Sequence, residues 1–308
     1  MLSSILLKAS RSPGVRRAVV GFPVTRRVVD RFVAGESVES AVRAVRALRA
    51  DGLTATLDHL GEDTRDATQA TAIRDAYVDL LGVLHRAGLA DAAEVSVKLS
   101  ALGQSLPVQG EKLALENARA ICEAAEAAGT TVTLDMEDHT TIDSTLRILY
   151  ELRQDYPWVG AVLQSMLRRT PDDCRDLAGP GSRVRLVKGA YAEPAEVAHT
   201  HKPDVDAAYE SCVEILMAGG GYPMIASHDP RMIEAAAHAA KAAGRAPGEY
   251  EFQMLYGIRT DAQRELAREG ERVRIYVPFG TDWYGYFMRR LAERPANVAF
   301  FLRALIGR

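Results

Sequence analysis

The sequence predicts an α/β fold, a (βα)8 barrel of the TIM type, on three observations. From residue 53 onward, short β-rich runs alternate with longer Ala/Leu/Arg-rich amphipathic stretches, and there are eight such runs. No G-x-G-x-x-G follows any run, which removes the main support for a doubly wound dinucleotide sheet. Gly179-Pro180-Gly181 lacks a third glycine and does not sit between a strand and a helix. Finally, 308 residues at 47% hydrophobic content suit one barrel-sized domain that uses nearly the whole chain.

Residues 1–51 do not fit the repeat. They read as a basic helical arm (Arg16, Arg17, Arg26, Arg27, Arg43, Arg46, Arg49) folded against a catalytic barrel at 52–308. Met1–Lys8 is too short and too early-charged for a signal peptide, and reads as the start of a terminal helix. The strands are expected at 53–57, 94–99, 131–136, 160–166, 183–189, 223–227, 251–255 and 273–278. Helix-period segments lie between them, at 111–128, 140–156, 204–218, 230–243 and 261–269. Asp204, Asp229 before Pro230, and Asp261 are placed as helix-opening caps; Gly129, Gly219 and Gly244 are placed as stops.

A net charge of −3 and a pI near 6.2 give no electrostatic case for a nucleic-acid partner. Cys122, Cys174 and Cys212 show no metal-ligand spacing and read as reduced thiols of a cytoplasmic protein. His199-Thr-His201 lacks a third ligand, so no metal is expected.

Barrel chemistry collects where strands end. Those ends carry Asp58 to Glu62, Lys98, Asp135-Met-Glu137-Asp138, Gln164, Arg185, Lys188, Tyr191, Ser227-His228-Asp229, Gln253, Leu255-Tyr256 and Tyr276. A strand buried on both faces is expected to be nearly all apolar, so Lys98, Arg185 and Lys188 inside β-rich runs stand out. Near the C-terminus, Tyr286, Arg289, Arg290 and Glu293 fall at i, i+3, i+4 and i+7, one face of a helix. Each cation on its own fits a salt bridge to a neighbouring carboxylate. Together they read as cations awaiting two anions: a cofactor near Arg185, Lys188 and His228, and a small carboxylate near Lys98, Arg289 and Arg290. A Schiff-base lysine enzyme using Lys98 or Lys188, or a non-catalytic binding barrel, is the rival reading.

The stretches at 94–102, 133–138, 184–191, 251–257 and 274–280, closed by Tyr286-x-x-Arg-Arg-x-x-Glu, resemble proline dehydrogenase in order and spacing, over residues 52–300. The length is similar to that of the single-function bacterial enzyme. The resemblance implies a distorted (βα)8 barrel, non-covalent FAD, oxidation of L-proline to Δ1-pyrroline-5-carboxylate by hydride transfer to flavin N5, and a membrane quinone as electron acceptor. It implies that Lys98, Arg289 and Arg290 hold the substrate carboxylate, and that Leu255, Tyr276 and Tyr286 surround the ring. It further implies that Asp135 orders the site, that Glu62 pairs with Arg289 over bound substrate, and that Glu293 braces Arg290. The resemblance likewise implies that Gln164, Arg185, Lys188, Gly189, Tyr191, Ser227 and His228 contact the flavin. Two places depart from the family pattern: Ala192, where some relatives carry Trp, and Ser227/Asp229 around His228, where Thr-His-Asn is more usual. A hydroxyproline-type imino acid dehydrogenase is the close alternative, against which the Tyr276 phenol argues. The basic arm is the candidate for a weak peripheral contact with the inner face of the cell membrane, with packing on a neighbour as its alternative.

Overall fold

The structure, a computed structural model, describes residues 29–61 and 64–293, without the side chains of Arg289, Leu291, Ala292 and Glu293. The expected roles of Glu62, of the Arg289 and Glu293 side chains, and of the arm before residue 29 therefore lie outside the described residues.

Eight parallel strands close into one barrel in chain order: β1 (Thr54–His59), β2 (Ala93–Lys98), β3 (Val132–Asp135), β4 (Gly160–Gln164), β5 (Arg183–Val187), β6 (Tyr222–Ala226), β7 (Glu251–Leu255) and β8 (Val273–Phe279), which pairs back onto β1. All eight expected runs are strands. Their physical pattern differs from the all-apolar one expected. On one face of the strands, Leu57, Val95, Val97, Leu134, Leu186, Ile225 and Ile275 are buried apolar residues of the main core. The alternate positions of β1, β2, β3, β5, β7 and β8, on the other face, are largely polar or charged and hydrogen-bond to one another across strands. Side chains alternate across a strand, so one face of each packs on helices while the other fills the barrel.

The wall helices are α1 (Val38–Ala50), α2 (Ala67–Arg86), α3 (Gly110–Ala128), α4 (Ile142–Arg153), α5 (Thr170–Leu177), α6 (Lys202–Ala218), α7 (Pro230–Ala242) and α8 (Thr260–Arg268). Asp229 caps α7 through a bond from the Arg231 amide, and Gly129 ends α3 at φ +80°. Asp204 and Asp261 are not caps. His201 caps α6 and Pro203 fills its first turn, leaving Asp204 inside that turn, where a carboxylate favours the positive helix end. Arg259, in left-handed backbone, precedes α8.

α1 buries Ala41, Val42, Ala44, Val45 and Leu48 and packs on β1 and β8. It thus fills the wall position that a helix following β8 takes in a regular barrel. The helix that does follow β8, α9 (Trp283–Glu293), packs instead with Val29, Phe32, Val33 and Leu60. Leu60 directly follows β1, so α9 sits over the C-terminal rim. The segment before α1 is tied to the same rim by Ala34 N donating to Pro278 O and Gly280 N to Gly35 O, each 2.9 Å. No helix among the described residues is long and apolar enough to cross a membrane.

One glycine controls how closely that segment approaches. Gly257 has φ +71°, and a Cβ there would meet the Arg31 carbonyl oxygen at 1.7 Å. Gly244 has φ +72° with nothing near a Cβ. Gly244→Ala is expected to cost only the left-handed backbone penalty, about 1–2 kcal/mol. Gly257→Ala is expected to cost more, because the rim segment must also move. Equal urea midpoints for the two variants would show that the contact carries no energy.

Candidate active site

The barrel interior holds two stacked layers of charge. In the lower layer, Glu94 accepts from Thr56 Oγ1 (2.8 Å), Thr131 Oγ1 (2.7 Å) and Arg183 Nη2 (2.6 Å). Glu251 accepts from Arg274 Nε (2.7 Å) and Gln253 Nε2 (2.6 Å). Two arginines face two glutamates, so the layer is neutral. Burial pushes the Glu94 carboxyl up, but Arg183, Arg274 and Arg185 outweigh it and hold the group well below the usual carboxylate range.

The upper layer opens toward the strand ends. Asp135 Oδ1 accepts from Ser96 Oγ and Arg185 Nη1, both at 2.7 Å. Its Oδ2 accepts from Tyr276 Oη at 2.7 Å and Lys98 Nζ at 3.4 Å. Lys98 Nζ also donates to Asp58 Oδ2 at 2.9 Å. Arg185 bonds Gln253 through Nε (2.6 Å) and lies 5.3 Å over the Tyr276 ring. Two cations again meet two carboxylates. Burial opposes ionisation of Asp135, yet the charges of Lys98 and Arg185, with bonds from Tyr276 and Ser96, keep its carboxyl below the usual range. Burial, then the charges of Asp135 and Asp58, push the Tyr276 phenol far up, so it stays a donor. Leu255 is the register partner of Tyr276 on β7.

This arrangement corrects two sequence expectations. Lys98, Arg185 and Lys188 are not left awaiting anions: each lies on carboxylates of the chain itself. Arg185 also joins Lys98, through Asp135, rather than Lys188. The reason is side-chain alternation within each strand, which turns positions 98, 135, 185 and 276 toward the barrel axis. Lys188, beyond the end of β5, instead reaches Asp206 (2.5 Å) and Asp229 (3.2 Å). Lys202 and Arg231 bond to Asp206 as well. Burial would raise the Asp206 carboxyl, but bonds from these three cations hold it well below its usual value. Three cations over two carboxylates leave one positive charge in excess.

Around the same rim, Gln164 Nε2 donates to Glu137 O at 2.7 Å. The amide of Leu255 donates to His228 Nε2 at 2.9 Å, which places the ring proton on Nδ1. Ser227 Oγ accepts from the Asp229 amide at 3.1 Å. Gly189 has φ +114°, and a Cβ there would meet Met166 Sδ at 2.4 Å. Tyr191 is exposed. On α9, Tyr286 is buried and the Arg290 guanidinium lies 5.1 Å from its ring centroid.

The sequence model of a family described as "Proline dehydrogenase" matches residues 41–303. The chain belongs to the proline dehydrogenase family. It is 44% identical over 281 residues to "Proline dehydrogenase" of Deinococcus radiodurans, covering 91% of this chain and 90% of that one. It is 40% identical to "Proline dehydrogenase 1" of Bacillus subtilis, covering 92% of each. Among solved structures, proline utilization A of Bdellovibrio bacteriovorus, inactivated by N-propargylglycine, superposes with a TM-score of 0.80 at 27% identity. That match covers 87% of this chain and 32% of the other.

In this proline dehydrogenase barrel, sequence reading missed several members of the charge network. Asp58 was on the strand-end list without a role. Glu94, Arg183, Arg274 and Glu251 were passed over because they sit low in their strands. The signal was available, since within its own strand each lies two or four residues from Lys98, Arg185, Gln253 or Tyr276 and so on the same face.

Proposed function

We propose that this chain oxidises L-proline to Δ1-pyrroline-5-carboxylate with non-covalent FAD and that the electrons pass to a membrane quinone. The observation that carries this is the neutral cluster of Asp58, Lys98, Asp135, Arg185 and Tyr276 at the strand ends of a barrel of this family. FAD, when bound, supplies the hydride acceptor.

Two features of the residues fit a flavin. Among the described residues Arg185 Nη2 is buried with no hydrogen-bond partner, Glu94 Oε1 being 3.7 Å away, so a donor remains for a ring heteroatom. The excess positive charge of Lys188, Lys202 and Arg231 beside the N-termini of α6 and α7 suits phosphate. Gln164, Gly189, Tyr191, Ser227 and His228 complete the proposed cradle.

Lys98, Arg289 and Arg290 take the substrate carboxylate, with Asp58 and Asp135 fixing Lys98 Nζ in place. Leu255, Tyr276 and Tyr286 bound the pyrrolidine ring, and orientation rather than proton transfer is the main contribution of the protein. Glu62 pairs with Arg289 to close the site, and Glu293 braces Arg290. The ring nitrogen enters deprotonated, its proton going to water. Arg16, Arg17, Arg26 and Arg27 support a weak electrostatic contact with the anionic leaflet that holds the quinone.

The test is the visible spectrum of the purified protein before and after anaerobic L-proline. Flavin bands that bleach are the expected result. Bands that persist would reject proline as substrate, and a protein still colourless after incubation with FAD would reject the cofactor.

A further inference from the structure

The β5–α6 connection, residues 188–201, is the route along which Gly189 and Tyr191 reach the rim, and it has no regular structure of its own. Within it, residues 190–196 are exposed with a single exception at 193. The Glu193 side chain is 3% exposed. A buried carboxylate needs partners, and both oxygens of this one go to one residue. Oε1 accepts from the His139 amide at 3.0 Å and Oε2 lies against His139 Nδ1. His139 belongs to the β3–α4 connection, four residues beyond Asp135. That connection is pinned on its other side as well: Glu137 accepts from Ser100 N (3.1 Å) and Ser100 Oγ (2.6 Å), after β2. The far end of the β5–α6 connection is held separately, by His199 N donating to Met166 O (2.7 Å) and Arg168 N to Val197 O (2.9 Å). Beyond Lys188, which reaches Asp206 and Asp229, the Glu193 side chain turns inward from the exposed stretch 190–196 and anchors it to the neighbouring connection.

From this geometry we infer that Glu193 is a positioning residue for the cofactor. Its carboxylate, held by His139, fixes residues 189–193 in the conformation that meets the flavin. It also ties that stretch to the loop that follows Asp135. The inference rests on the FAD reading given above. It assigns no chemical step to Glu193, which acts through the backbone it holds.

The experiment compares the wild-type chain with Glu193→Ala, Glu193→Gln and His139→Ala. Two readouts are taken: amide hydrogen exchange of 188–201 in the flavin-free protein, and FAD affinity by flavin fluorescence. Glu193→Ala is expected to speed exchange in 188–196 and weaken FAD binding by about tenfold or more, as loss of preorganisation does. The KM for proline at saturating FAD should hold. His139→Ala keeps the backbone donor and should fall between. Glu193→Gln should restore most of the affinity, because its amide oxygen accepts from the His139 amide and its NH2 can donate to Nδ1 in the tautomer that carries its proton on Nε2. Unchanged exchange and unchanged FAD affinity in Glu193→Ala would overturn the assignment. So would a parallel loss of Tm, proline KM and FAD affinity that Glu193→Gln does not rescue, since that marks a general folding role. A wild-type chain that binds no FAD would sink the cofactor reading itself, and the exchange data would still decide whether Glu193 anchors the loop.

Discussion

Replacing Asp135 with alanine is expected to lower kcat/KM for L-proline by about a hundredfold or more, the scale on which small misplacements of reacting groups act. Asp135 accepts from Ser96, Arg185, Tyr276 and Lys98 at once. Without it the upper layer holds two cations against Asp58 alone. Lys98 then swings toward Asp58, Tyr276 loses its acceptor, and Arg185 keeps only Ser96 and Gln253 as bonded side chains. Asp135→Asn separates geometry from charge. Its amide oxygen can serve Ser96 and Arg185, while its NH2 turns a donor toward Lys98. The asparagine variant should therefore retain more activity than the alanine one, with Tyr276 and Lys98 displaced. Steady-state kinetics at saturating FAD check this. Near-wild-type kcat/KM in Asp135→Ala would show that the upper layer does not order the substrate.

The second large effect is on stability. Glu94→Gln should destabilise the fold by about 3–5 kcal/mol at pH 7, the cost of breaking a buried ion pair and leaving the opposite charge behind. Glu94 is 1% exposed and faces Arg183, with Arg274 and Arg185 at 3.9 and 3.7 Å. The sign with pH follows from its depressed carboxyl. The unfolded group takes its proton near pH 4.3, well before the folded one does. Its contribution is thus fully present above about pH 4.3 and is lost as pH falls toward the folded value. Glutamine removes that titration. The stability gap between wild type and variant should accordingly narrow by about 1.4 kcal/mol per pH unit below 4.3. Urea midpoints at pH 7 and pH 3 test it, and an equal gap at both would mean that Glu94 is not held ionised by its arginines.

These two variants also mark what could be read from the chain before folding. The rhythm of eight runs was legible because each strand needs an apolar face against the helices, and Val95-x-Val97 or Ile275-x-Val277 declares that face locally. Lys98, Asp135, Arg185 and Tyr276 were legible as candidates because a charge in a β-rich run is unusual. Their grouping was not. Position 185 is 87 residues from Lys98 and three from Lys188, and nothing local in the sequence shows that Arg185 and Lys98 share Asp135. The helix starts at Asp204 and Asp261 were misplaced for a related reason: proline in the first turn and a left-handed Arg259 set the boundary, and cap propensity did not.

By itself, then, the sequence determined the barrel, its order of strands and the list of polar residues at their ends, since these follow from periodicities of two and 3.6 residues that any short window displays. Only the tertiary structure decided which charges neutralise which, and that α1 takes the wall while α9 covers the rim. It alone showed that Glu193 turns inward from an exposed loop. Pairings of this kind depend on closure of the barrel, which brings β1 beside β8 and sets residues from six strands around one axis. Electrostatic partners are chosen by distance and burial across that closed sheet, and neither quantity exists until the chain has closed it.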